Sequence, residues 1–128
     1  MSDSSKSLHI LVAEDNPINQ KLVVRLLQKQ GHTSIVANNG REAVETWSQQ
    51  SFDAILMDMM MPEMDGLEAT IAIREREKTT GQHIPIIAIT ANAMIGDREK
   101  CLGAGMDEYI SKPVDVTKLY ETLDHLTA

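Results

Sequence analysis

The chain lacks most of what would fit it for a membrane, the cell exterior or a nucleic acid. It has one cysteine, Cys101, so no internal disulfide can form and a reducing, cytoplasmic setting is the expectation. One Trp, one Phe and two Tyr are too few for a base-stacking platform. Twelve Lys and Arg stand against 19 Asp and Glu, and a formal charge of −7 lacks the basic surface that non-specific nucleic-acid binding needs. No apolar run approaches the roughly 18 residues of a membrane span, so no membrane insertion is expected. The opening MSDSSKS has no apolar stretch of signal-peptide type.

What the chain does have is alternation. With 128 residues and 42% hydrophobic content it reads as one domain over residues 8–128, preceded by a flexible tail at 1–7. LHILVA (8–13) is an apolar run of strand length, ended by EDNP, where Asn16 suits a helix cap and Pro17 the first helical position. Ile18, Leu22, Leu26 and Leu27 then recur at helical spacing as far as Gln30, with Gly31 as terminator. Strands follow at 33–37, 53–58, 83–90 and 107–111. Helices are predicted over 41–50, over 65–78 behind an Asp65/Glu68 capping box, over 93–102, and from an Asp115 cap to about Leu126. Five strand–helix repeats, with strands two to four in unbroken Ile/Val/Leu/Ala runs that suggest burial on both faces, indicate an α/β fold with a helix-covered parallel sheet.

In such sheets, functional groups collect beyond the carboxyl ends of the strands. Those positions hold Glu14 and Asp15 after strand one, Asp58 ending strand three, Thr90 ending strand four and Lys112 after strand five. Asp58 ends the apolar run ILMD, and a place at the rim explains how a carboxylate can finish a buried strand. Paired carboxylates about 4 Å apart repel by about 4 kcal/mol at an effective dielectric near 20. A divalent cation relieves that repulsion, and oxygen-only ligands favour Mg²⁺ over zinc. A cation, an ammonium and a hydroxyl around one carboxylate suit a nucleophile that attacks phosphorus, so Asp58 is read as the acceptor of a phosphoryl group.

VAEDNPINQKL, ILMDMMMPEMDGLEAT, IPIIAITANAM and CLGAGMDEYISKPV each resemble a block of the receiver domains of two-component response regulators, of the type fused to hybrid histidine kinases. The blocks occur in the family's order and cover about residues 8–126. The resemblance implies a flavodoxin-like (βα)5 doubly wound sheet of strand order 2-1-3-4-5. It implies Asp58 as phosphoacceptor, and Mg²⁺ held by Asp15, Asp58 and the backbone carbonyl of Met60, with Glu14 reaching it through water. It further implies phosphate contacts from Thr90, the Ala91 N–H and Lys112, a switch pair of Thr90 and Tyr109, and a cis Lys112–Pro113 bond. Met60, two residues past the acceptor, and Asn92, two past Thr90, are the expected tuners of acyl-phosphate lifetime, because an apolar Met60 cannot orient water. The implied partner is a histidine kinase or histidine phosphotransfer domain docking near the first helix, where Val23, Val24 and Leu27 cannot all point inward. The chain is then a single-domain regulator or part of a larger hybrid kinase.

Blander readings make Lys112 a surface partner of Asp107 or Glu108, Thr90 a helix cap, and Tyr109 a packing residue. Trp47 and the helical Ile/Leu stripes read as core, Cys101 as packed, the four histidines as structural or solvated, and REREK (74–78) as a solvated helix end. Among other functions, a haloacid-dehalogenase-like phosphatase needs an aspartate where Met60 stands. A flavodoxin-like mononucleotide binder needs bare N–H groups and hydroxyls where the chain offers the anions of EDNP. A degenerate receiver acting only as an interaction module would not need every reacting position filled.

Overall fold

The computed structural model describes residues 7–59, 61, 64–90 and 95–127. Strands β1 (His9–Ala13), β2 (Thr33–Ala37), β3 (Ala54–Asp58), β4 (Ile86–Thr90) and β5 (Glu108–Ser111) alternate with helices α1 (Pro17–Lys29), α2 (Gly40–Gln49), α3 (Gly66–Glu77), α4 (Ile95–Ala104) and α5 (Val116–Thr127). All strands are parallel, in the order β2-β1-β3-β4-β5. No helix among the described residues is long and apolar enough to cross a membrane.

Period-two alternation along the strands divides the core in two. Leu11, Ala13, Ile55, Met57, Ile86 and Ala88 pack with Ala43, Val44, Ala69, Ile73 and Cys101, under α2, α3 and α4. Ile10, Val12, Leu56, Ile87 and Ile89 pack with Val23, Leu26, Leu27, Leu119 and Leu123, under α1 and α5. Full burial of each such Leu or Ile contributes about 1.5–3 kcal/mol relative to exposure.

Helix ends follow local chemistry. Asn16 Oδ1 accepts from the N–H groups of Ile18 and Asn19, Asp65 and Glu68 form the expected capping box, and Asp115 Oδ1 accepts from the Lys118 N–H. At the end of α1, Gly31 has φ 81°, and the N–H groups of His32 and Gly31 donate to the carbonyls of Leu27 and Gln28, a Schellman stop. The same arrangement ends α4 at Gly105 (φ 108°), with Met106 donating to Cys101 and Gly105 to Leu102, so α4 runs beyond the expected Leu102.

Four further expectations are corrected. Strand β2 is not buried on both faces: it is an edge strand, with Thr33 and Ile35 exposed. Strand β4 begins at Ile86 rather than 83, because the Ile84 N–H is taken by the Glu77 side chain and not by a sheet neighbour. The helical Ile/Leu stripe is not all core: in α1 the buried set is Val23, Leu26 and Leu27, while Ile18 (77% exposed) and Leu22 (48%) face solvent, and Trp47 is only partly buried. The 74–78 run is not simply a solvated helix end. Arg74 donates to the Glu77 carboxylate at 2.6 Å, to Asp107 at 2.8 Å and to the Gly105 carbonyl at 2.8 Å, and Glu77 is buried. Residues 1–6 of the expected tail lie outside the described residues; Ser7 is tied to the fold through its hydroxyl, which donates to the Gly31 carbonyl.

Candidate functional site

Strand register builds the site. Ala13 pairs with Met57, Asp58 with Ile89, and Ile89 with Ile110, so the strands end nearly level. The Glu14 N–H donates to the Ala37 carbonyl, the Met59 N–H to Ile89 and the Lys112 N–H to Thr90, carrying the ladder just past the strand ends. Glu14, Asp15, Asp58, Thr90 and Lys112, drawn from four strands, therefore share one rim of the sheet.

Each of Glu14, Asp15 and Asp58 offers a carboxylate oxygen, and these oxygens lie within 4.8 Å of one another. Glu14 and Asp58 are buried and Asp15 is exposed. The Lys112 Nζ bridges the cluster, 3.3 Å from Glu14 Oε1 and 3.4 Å from Asp58 Oδ2. Lys112 thus pairs with the site carboxylates and not with Asp107 or Glu108; Asp107 is engaged by Arg74 and by His83 Nε2 at 2.6 Å.

The electrostatics record the crowding. Burial, reinforced by a side-chain hydrogen bond to Asp58 and by that residue's charge, pushes the Glu14 carboxyl up to about 7, against the Asn16 N–H and Lys112, which favour its ionised form. Burial by itself would lower Lys112, but the charges of Asp58 and Glu14 and the hydrogen bonds to them outweigh it and hold the ammonium above its ordinary value. One ammonium offsets only part of three clustered carboxylates. The all-oxygen donor set, two members buried and one open to solvent, fits a hard divalent cation that keeps some of its water, as Mg²⁺ does.

The start of α3 packs closely against the end of β3. The Gly66 N–H donates to the Met59 carbonyl at 3.3 Å, and a Cβ at Gly66 would run into the backbone carbonyl of Asp58. Gly40 is similarly required against the Met64 carbonyl, to which its N–H donates at 2.9 Å. The glycine of the DG pair is thus a packing requirement of the strand that ends in Asp58.

Thr90 is buried at the end of β4, with its carbonyl bonded to the Lys112 N–H at 2.7 Å. Tyr109 is half-buried against the Ala88 side of the core, and the Lys118 ammonium lies 5.6 Å from the centroid of its ring. The Lys112–Pro113 peptide is cis. Met60, Ala91 and Asn92 lie outside the described residues. His9 bonds Thr33 and Gln50 and stacks on Phe52, His32 Nδ1 accepts from the Leu8 N–H, and His125 is exposed. Cys101 is buried with Sγ 3.4 Å from the Met59 sulfur.

Beside the carboxylates a pocket of about 90 Å³ opens between α1 and the segment after β5, lined by Leu22, Val23, Ile89, Lys112, Pro113 and Val114 among others. Sequence reasoning missed Gln20, whose amide donates to the Glu14 carbonyl and to Asn38 Oδ1. Its position four residues after the Asn16 cap was the available signal.

A sequence model of the response regulator receiver domain matches residues 10–124. The hybrid signal transduction histidine kinase I of Dictyostelium discoideum is 48% identical over 120 residues, covering 90% of this chain and 7% of that protein. The histidine-protein kinase BarA of Escherichia coli (strain K12) is 40% identical over 124 residues, 96% of this chain and 13% of that protein. This chain therefore spans only a small part of the curated relatives it matches. The receiver domain of the sensor histidine kinase PA1611 from Pseudomonas aeruginosa PAO1, which has a magnesium ion coordinated in its active-site cleft, aligns with TM-score 0.86 and 42% identity over 95% of this chain and 98% of that one. A co-crystal of the Saccharomyces cerevisiae histidine phosphotransfer protein Ypd1 with the receiver domain of Ssk1 supplies a match of TM-score 0.90 and 32% identity, over 94% of this chain and 89% of that one.

Proposed function

The chain belongs to the response regulator receiver domain family, and from that premise we propose that Asp58 accepts a phosphoryl group from a phosphohistidine and holds it as an acyl phosphate. The observation that carries this reading is the placement of the Lys112 ammonium between the Asp58 and Glu14 carboxylates, 3.4 and 3.3 Å away, at the rim where Asp15 also lies. In the proposed step an Asp58 carboxylate oxygen attacks phosphorus, the P–O bond forms and the P–N bond of the phosphohistidine breaks. Lys112, freed from its resting ion pairs, neutralises one phosphoryl oxygen, and the Thr90 hydroxyl and Ala91 N–H donate to others. Asp15, Asp58 and the Met60 carbonyl would hold Mg²⁺, with Glu14 acting through water. When bound, that ion supplies the positive charge that offsets the carboxylates and the incoming phosphoryl oxygens.

Engagement of Thr90 by the phosphoryl group then biases a two-state equilibrium that Tyr109 reports on the face of α4 and β5. The domain is a switch whose acyl phosphate is lost slowly by its own hydrolysis, at a rate tuned by Met60 and Asn92. Of the first-helix residues expected to offer a landing site, Val23 and Leu27 are buried. The donor, a histidine phosphotransfer domain or histidine kinase in the cytoplasm, docks instead on the exposed α1 residues Ile18 and Leu22 beside the pocket. The whole protein is either a stand-alone regulator or a hybrid kinase like the relatives above.

Incubation with acetyl phosphate and Mg²⁺, followed by intact mass, tests the reading. One phosphoryl group should be gained, and the gain should vanish in Asp58→Asn and in the presence of chelator. Label that persists in Asp58→Asn would assign the acceptor to another residue.

A further inference from the structure

We infer that Gln20 is a positioning residue for the acidic loop: by donating at once to the Glu14 carbonyl and to Asn38 it fixes the Glu14–Asp15 peptide, and through it the carboxylate of Asp15. The inference rests on the proposed magnesium-dependent phosphoryl acceptance and names the part of the chain that prepares the cation site.

Strand β1 ends at Ala13, and the ladder continues for one more residue through the Glu14 N–H, bonded to the Ala37 carbonyl at 3.0 Å. Beyond that bond the chain leaves the sheet. The next peptide unit is planar, so the direction of its carbonyl sets its orientation and the starting point of the Asp15 side chain. Gln20 Nε2 takes that carbonyl. Its second amide hydrogen goes to Asn38 Oδ1 at 2.9 Å, and Asn38 is held through its own N–H and Nδ2 by Glu42 Oε1 at 3.0 and 3.2 Å. The anchor thus runs from the acidic loop across the β2–α2 turn into α2.

Gln20 is well placed for the task. It lies in the first turn of α1, where its N–H makes a 2.9 Å bond to the Asn16 carbonyl, and its side chain is half-buried. Glu14 needs little of this help for its own side chain, because the Asn16 N–H and Lys112 hold its two oxygens. Asp15 is the exposed member of the cluster, so fixing its backbone reduces the freedom that cation binding must remove.

The test is the Mg²⁺ affinity of the whole chain by titration calorimetry, for wild type, Gln20→Met and Gln20→Leu. Both variants are uncharged, roughly keep the side-chain bulk and remove the donors. We expect the dissociation constant to rise about tenfold in each, the metal-free melting temperature to stay within about two degrees, and the acetyl-phosphate loading rate at saturating Mg²⁺ to match wild type. Unchanged Mg²⁺ affinity in both variants overturns the inference. So does a loading rate that stays low at saturating Mg²⁺ together with a lowered melting temperature, since Gln20 would then be holding the fold. Failure of the wild-type chain to bind Mg²⁺ is a different result: it removes the functional reading itself and the inference with it.

Discussion

The ammonium of Lys112 lies 3.4 Å from the carboxylate of Asp58, across 54 residues of sequence. It occupies charge space that a divalent cation would share, because both are attracted to the same pair of acids. Lys112→Met should therefore have two opposite effects. Mg²⁺ should bind several-fold more tightly, since a competing positive charge is gone. Loading from acetyl phosphate should slow about a hundredfold, as for loss of one group aimed at developing charge. Calorimetry and a mass time course read the two separately, and loading at the wild-type rate would take Lys112 out of the chemistry.

Gly66 offers a test of how closely α3 must approach β3, the strand that ends in Asp58. A methyl group there collides with the Asp58 carbonyl and comes within 3.1 Å of the Met57 side chain. Gly66→Ala should cost about 1–3 kcal/mol in chemical denaturation, as overpacking does. It should also depress phosphoryl loading at a temperature where the variant is still folded, because relief comes by displacing the backbone that carries Asp58. A variant as stable as wild type would show that the loop yields without cost.

At the opposite end of the sheet, Arg74 is the sole side-chain cation bonded to the buried Glu77 carboxylate among the described residues. Glu77 in turn accepts the Ile84 N–H at 2.6 Å, and Asp107 accepts the Ile86 N–H at 2.8 Å. Arg74→Met leaves Glu77 buried beside an apolar group, a loss of about 3–5 kcal/mol. Unfolding curves should show it, while Mg²⁺ affinity stays at the wild-type value because the network is remote from the rim. A loss below about 1 kcal/mol would mean that solvent reaches Glu77 freely.

Acid sensitivity should trace in part to His32. Burial lowers its pKa, against the pull of Asp124 and Asp53, and its Nδ1 must stay unprotonated to accept the Leu8 N–H at 3.1 Å. The unfolded chain protonates near the ordinary 6.5, before the folded state does. The contribution of His32 is thus fully present above that pH and is lost as pH falls through the lower folded value. His32→Asn, which retains an acceptor oxygen without a titrating ring, should lose less stability than wild type between about pH 7 and 5. Parallel pH profiles for the two proteins would remove His32 as the source.

The strand–helix alternation and the meeting of Glu14, Asp15, Asp58, Thr90 and Lys112 were legible because both depend on local patterns: apolar runs of strand length, and polar residues placed just after them. The strand order, by contrast, followed only from the family resemblance. The misread features depend on distant partners. Arg74 and Glu77 sit in a charge run that looks solvated until Asp107, 33 residues beyond Arg74, closes over it. The first helix offered two overlapping stripes, one through Ile18 and Leu22 and one through Val23 and Leu27, and only its seat on the sheet selects the second. Strand β2 has the Ile and Val of a central strand, but its place at the edge comes from the pairing order and not from its composition.

That selection leaves Ile18 and Leu22 on the outside of α1, the second of them lining the pocket beside the carboxylates. Solvent-facing apolar residues contribute little to folding, so Ile18→Asp and Leu22→Asp should alter stability by no more than about 0.5 kcal/mol. A small phosphodonor such as acetyl phosphate needs only the rim, and loading from it should proceed at the wild-type rate in both variants. On the proposed docking, a phosphorylated histidine phosphotransfer domain places its helices against α1 before its phosphorus reaches Asp58, and an added charge at that contact disfavours the encounter. Transfer from it should slow about tenfold or more, a change expected when one buried apolar contact worth about 1.4 kcal/mol is lost. Equal slowing with both donors would indicate damage to the rim itself. Equal rates with both would place the docking face on another part of the domain.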